Sequence, residues 1–169
     1  MITKKHFSDY MLDVATRLKD IGHTPEKPRF ARNGEEFLNL ISGKMKVTSG
    51  VMLVLDAYNN QLVHNNDDQF NLVKTPSFFL VRGINDETDY NAEEEVYDEC
   101  EKVLMKILAK MKAERYTVGN LMRFFDLNGT TYRSVGPLDE GQNLFGIEVQ
   151  LRFSNVVNAD LVYDEADWL

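Results

Sequence analysis

Residues 144–153 (LFGIEVQLRF) limit the possible folds more than any other stretch of this chain. Phe145, Ile147, Val149, Leu151 and Phe153 alternate with Gly146, Glu148, Gln150 and Arg152. Successive side chains leave a strand on opposite faces, so this alternation predicts a β-strand with one buried and one wet face. A strand needs partners. Residues 131–135 (TYRSV) pair with it plausibly across the loop 136–143 (GPLDEGQN). That loop is longer than a tight hairpin needs. It reads as a connector or as a contact loop with Leu138, Asp139 and Glu140 at its tip.

The remaining elements follow from periodicity and punctuation. Phe7, Tyr10, Met11, Val14, Leu18 and Ile21 recur at helical spacing, with Thr3 or Ser8 to cap the start and Gly22 to stop it. Pro25 and Pro28 predict an extended link. Residues 35–40 read as a short helix or turn, and 51–55 (VMLVL) as a buried strand. Residues 61–64 and 70–73 predict a hairpin around 65–68 (NNDD). Pro76 then predicts an interruption before a further strand at 77–82. The best helix is 91–111, with an apolar stripe of Val96, Cys100, Val103, Leu104, Ile107, Leu108 and Met111. Asn91 and Glu94 resemble a capping box at its start. Residues 118–125 predict another short helix. Helices mixed with hairpin-joined strands give an α+β class: a mostly antiparallel sheet, with the long helix and the N-terminal amphipathic helix on one face. We divide the chain into a domain at 1–155 and a C-terminal arm or packed tail at 156–169.

Composition and motifs narrow the chemistry. The formal net charge is −8, from 19 basic and 27 acidic residues. Phosphate contacts supply most non-specific nucleic-acid affinity, so this balance argues against a general DNA or RNA binder and against anionic membranes. No stretch approaches the roughly 20 apolar residues of a membrane span, and the N-terminus lacks the apolar core of a signal peptide. The acidic run between Asp86 and Glu101 includes Glu93, Glu94, Glu95, Asp98 and Glu99. Without a central turn glycine it lacks the pattern of a calcium loop, and carboxylates there suit the positive end of a helix. His6, His23 and His64 show no zinc spacing. His64 beside Asp67 and Asp68 reads as a polar hairpin tip. Cys100 falls on an apolar stripe and reads as core. No nucleophile elbow, phosphate loop or dinucleotide fingerprint is present. The residues therefore nominate no catalytic, cofactor or metal site.

The C-terminal segment is the main unabsorbed feature. Leu161, Val162, Tyr163, Trp168 and Leu169 interleave with Asp160, Asp164, Glu165 and Asp167. Such a segment either packs on its own domain or docks on a neighbouring subunit with Trp168 as anchor.

The order of an amphipathic helix at 7–21, an extended middle, a long helix at 91–111 and a final hairpin ending in GIEVQLRF resembles the tail-completion or tail-terminator proteins of tailed bacteriophages. The resemblance covers most of the chain by pattern. It implies a non-enzymatic virion protein, assembled in the bacterial host cytoplasm into a hexamer-like ring between tail tube and head connector. Its partners would be copies of itself and other tail or connector proteins. Glu93, Glu94, Glu95, Asp98 and Glu99 would then be candidates for an acidic lumen or surface that repels DNA. The aromatic C-terminal segment and the Pro-rich link depart from that pattern and leave a neck adaptor open. Two other classes fit the composition. One is an acidic binding module that inhibits a basic protein or mimics nucleic acid; the other is a carboxylate-based, metal-dependent hydrolase.

Overall fold

The computed structural model describes residues 2–43, 47–65, 69–86, 88–117, 120–138 and 143–157. In chain order these form α1 (Lys4–Arg17), β1 (Phe30–Ala31), α2 (Gly34–Gly43), β2 (Met52–Asn65) and β3 (Gln69–Gly83). Then come α3 (Tyr90–Glu114), β4 (Thr131–Val135), β5 (Leu144–Gln150) and β6 (Phe153–Val156). The chain is α+β, with one sheet ordered β1-β2-β3-β5-β4 and β6 beside β3. Every pairing is antiparallel except that of β1 with β2.

The alternation of the strands sorts the core into two layers. Leu53, Leu55, Phe78, Leu80, Ile147 and Val149 cluster with Phe7, Met11 and Val14 of α1 and with the full apolar stripe of α3. Their sequence neighbours Met52, Val54, Val81 and Leu144 form a second cluster with Phe37, Leu40 and Ile41 of α2. Neighbouring strand residues point to opposite faces, so α1 and α3 cover one face and α2 part of the other. Both faces are thus covered at this end of the sheet, which explains why 51–55 and 78–81 are unbroken apolar runs. Leu144 and Gly146, on the supposed wet face, are buried. A Cβ on Gly146 would meet the Leu80 carbonyl oxygen at 2.0 Å, so β5 can approach β3 this closely only with glycine there.

Two defects organise the hairpin. Register slips by one residue between Leu55 and Tyr58, leaving Asp56 and Ala57 both opposite Ser77. This is a β-bulge. Buried Ser77 closes it: its Oγ accepts from the Ala57 N–H at 3.1 Å and donates to Asp56 Oδ2 at 3.0 Å. The predicted break at Pro76 is not in β3, which runs through it. It falls in the adjacent strand, between β5 and β6. Both pair with β3 in one continuous register, Ser77 with Gln150 and Lys74 with Phe153. Between them the Leu151 N–H donates to the Pro76 carbonyl at 3.0 Å, and Pro76 has no N–H to return the bond. The alternating run 144–153 is therefore a strand interrupted at Leu151–Arg152 by a proline on its neighbour.

Several local expectations are corrected. The cap of α3 is Asp89, whose side chain accepts from the Ala92 N–H at 3.0 Å, rather than Asn91. Thr3 caps α1 through the His6 N–H, and the helix ends at Arg17, short of Ile21. Gly22 (φ +61°) takes the left-handed conformation in the turn that follows. The Pro-rich link is not simply extended: Thr24 and Lys27 exchange backbone hydrogen bonds at 3.1 Å around Pro25–Glu26. Phe30 and Ala31 then pair with β2, a strand too short to signal itself. Of the short helix at 118–125, only a 3-10 turn over Leu121–Phe124 lies within the described residues. The expected tip at 65–68 is narrower, because Asn65 pairs with Gln69.

Candidate functional site

The sheet's covered end and its far end differ in what they expose. Beyond the bulge, β2 and β3 continue as a ribbon: Leu62 faces Leu72, and His64 faces Phe70 with ring centroids 4.8 Å apart. Leu62 is 50% exposed. β1 pairs only with Leu53 and Val54, so the outer edge of β2 from Asp56 onward has no strand beside it among the described residues. At the opposite side of the sheet β4 pairs only with β5 among the described residues, and Tyr132 is 45% exposed. Arg133 is tied to Glu148 at 2.6 Å across that pair. Open edges present unpaired N–H and C=O groups, and proteins usually protect them with lysine or proline. Neither residue occurs in residues 56–65 or 131–135.

On the α2 face lies an apolar groove of about 250 Å³. Phe37 and Leu38 of α2, Val54, Phe79, Val81 and Leu144 of the sheet, and Leu138 line it. Leu38 is 59% and Leu138 44% exposed. A larger groove of about 440 Å³ runs beside α1, with Lys4, Lys5, Asp9, Arg32, Asp56 and Ser77 beside Phe7, Leu55 and Tyr58 in its lining. Both of its carboxylates are engaged, Asp9 by Lys5 at 2.7 Å and Asp56 by Ser77. The hydrogen bond from Lys5 holds the Asp9 carboxyl below its usual range.

Two polar anchors hold this frame. The Ile2 carbonyl accepts from Lys74 Nζ at 2.7 Å and from the Tyr58 hydroxyl at 2.9 Å. Burial pulls the Lys74 ammonium down and pushes the Tyr58 phenol up to about 12. Midway along α1 the Tyr10 hydroxyl donates to Glu114 at 2.7 Å, joining α1 to α3, and burial raises the Tyr10 phenol. Cys100 is fully buried on α3, and burial raises its thiol to about 12, an environment that suppresses thiolate formation.

The acidic candidates separate by partner. Glu94, Glu95 and Asp98 are exposed on α3. Glu93 accepts from the Tyr97 hydroxyl at 3.0 Å, and Glu99 pairs with Arg82 of β3 at 2.6 Å. Of the candidate contacts, Leu138 lies on the apolar groove. Asp139, Glu140, Leu161, Val162, Tyr163, Trp168 and Leu169 lie outside the described residues. The proposed division at residue 155 falls inside β6, and the buried Val157 donates its N–H to the Phe70 carbonyl at 3.0 Å. Sequence reasoning missed Leu62, Tyr132 and Leu38. Helical spacing places Leu38 inward with Phe37 and Ile41, and the structure corrects this, leaving it 59% exposed; for Leu62 and Tyr132 only strand pairing reveals the exposure. Among the described residues no group of three or more His, Cys, Asp or Glu could hold a metal ion, and no helix is long and apolar enough to cross a membrane. No family model matches the chain, and no curated protein or solved structure matches it either.

Proposed function

We propose that this chain is a non-enzymatic structural subunit of a phage tail or neck, assembling head to tail into a ring between tail tube and head connector. The observation that carries the assembly reading is the pair of open edges, β4 on one side of the sheet and the outer half of β2 on the other. Two different, complementary surfaces make a heterologous contact, which closes into a ring when the rotation per subunit divides a full turn. Strand addition supplies the hydrogen bonds of such a contact, and Leu62 and Tyr132 supply apolar area beside them. Placement in a tail or neck rests on the resemblance of element order. Glu94, Glu95 and Asp98 would present like charge to passing DNA.

Light scattering coupled to size exclusion, with negative-stain images, tests the reading. It predicts a discrete closed species that grows with concentration, and its loss in Leu62→Lys and Tyr132→Lys chains that keep the native melting temperature. A strict monomer over the whole series contradicts self-assembly. That outcome would favour the acidic binding module, which the exposed Glu94, Glu95, Asp98 and Glu101 on one helix support. A basic partner lost at high salt would establish it.

A further inference from the structure

We infer that the apolar groove between α2 and the sheet receives residues 158–169 of a neighbouring copy, with Trp168 seated between Leu38 and Leu138. The inference rests on the assembly reading and names one contact within it. Two observations support this occupant, and reach supplies a third argument. The groove is lined by apolar side chains and one glycine, and two of its leucines, Leu38 and Leu138, are about half exposed. The segment supplies a matching set, Leu161, Val162, Tyr163, Trp168 and Leu169, with Asp164, Glu165 and Asp167 among them.

Reach favours a neighbour's segment over the chain's own. Val157 is fixed to Phe70, and the groove begins at Phe79, nine positions along the same strand. At the rise of a strand this is about 30 Å. Trp168 follows Val157 by eleven positions, so even a fully stretched chain spans only about 36–40 Å. Filling its own groove would require nearly complete extension around the sheet. A neighbouring copy imposes no such constraint.

Trp168 is the only tryptophan of the chain, so its emission reads its own surroundings. A peptide of residues 158–169 is titrated into the full-length Trp168→Ala chain, whose own fluorescence then lacks tryptophan. The inference predicts a saturable blue shift of the peptide's emission, with binding at least tenfold weaker to a chain that also carries Leu38→Asp. Leu38 is mostly exposed, so that variant is expected to fold, and circular dichroism checks it. No shift, or equal binding to the Leu38→Asp chain, overturns the proposed site. In the native chain, a blue-shifted emission unchanged by dilution overturns docking between copies. Light scattering on the same samples separates the two readings, because rings without a tryptophan shift would refute this contact and leave assembly standing.

Discussion

Met52–Leu55 and Gln61–Asn65 belong to one strand, and Phe78–Val81 and Gln69–Val73 to its partner, yet the two ends of this hairpin are held by different means. At the first end both faces are covered, by α1 and α3 on one side and α2 on the other. At the second end His64 and Leu62 lie open, and among the described residues β6 is the only further strand beside β3. A hairpin in water is marginal without a covered face. The bulge at Asp56–Ala57 marks the boundary, and Ser77 and Pro76 lie opposite it. One continuous ladder can thus carry a rigid core at one end and an unfilled surface at the other. The proposed assembly would cover that surface.

Truncations should separate the two ends most strongly. Phe78 is fully buried, so Phe78→Ala is expected to cost about 3–5 kcal/mol in denaturant unfolding. A loss near 0.5 kcal/mol would mean that the covered end is not the source of stability. At the boundary, Ser77→Ala leaves the Ala57 N–H without its acceptor and should cost about 1–3 kcal/mol. Ser77→Thr, which keeps the hydroxyl, should recover part of this in the same assay.

A smaller effect depends on pH. His23 Nδ1 accepts from the Arg29 N–H at 3.0 Å, just before β1. Burial holds His23 below its usual 6.5, against a weaker upward pull from Glu36. The unfolded chain therefore takes up this proton first. The contribution is complete above about pH 6.5 and is lost as pH falls from there through the folded value. Melting temperature should drop on acidification through this window, and His23→Asn should flatten the slope. An unchanged slope would remove His23 from the account. The smallest stability effect is expected for Leu62→Lys, within about 0.5 kcal/mol. The same substitution should abolish assembly, so that stability and association respond to opposite ends of one hairpin.

The sequence makes the covered end legible and hides the open one. The stripe from Val96 to Met111 carries its burial by helical period, and the runs at 51–55 and 78–81 carry theirs directly, because packing on both faces of a sheet demands apolar residues at successive positions. The bulge shifts the alternation of β2 by one residue, so Gln61–His64 looks like a separate strand. Pro76 acts on the strand beside it, and no local reading assigns a break to Leu151–Arg152. Asp89 caps α3 without a Glu or Gln three positions on, so the sequence pattern favours Asn91 with Glu94 instead. Leu38 and Leu138, which line one groove, are separated by a hundred positions and become neighbours only through the fold. The contacts proposed for the C-terminal segment had no address until that groove was located.

Hydrogen exchange of backbone amides at low and high protein concentration tests the central claim most directly. The account predicts that those amides of residues 56–65 and 131–135 that point away from β3 and β5 exchange quickly in dilute protein and gain protection together as the larger species forms. Amides of 52–55, 78–81 and α3 should stay protected throughout. Protection that appears at neither edge while the mass increases would contradict assembly through the open strands.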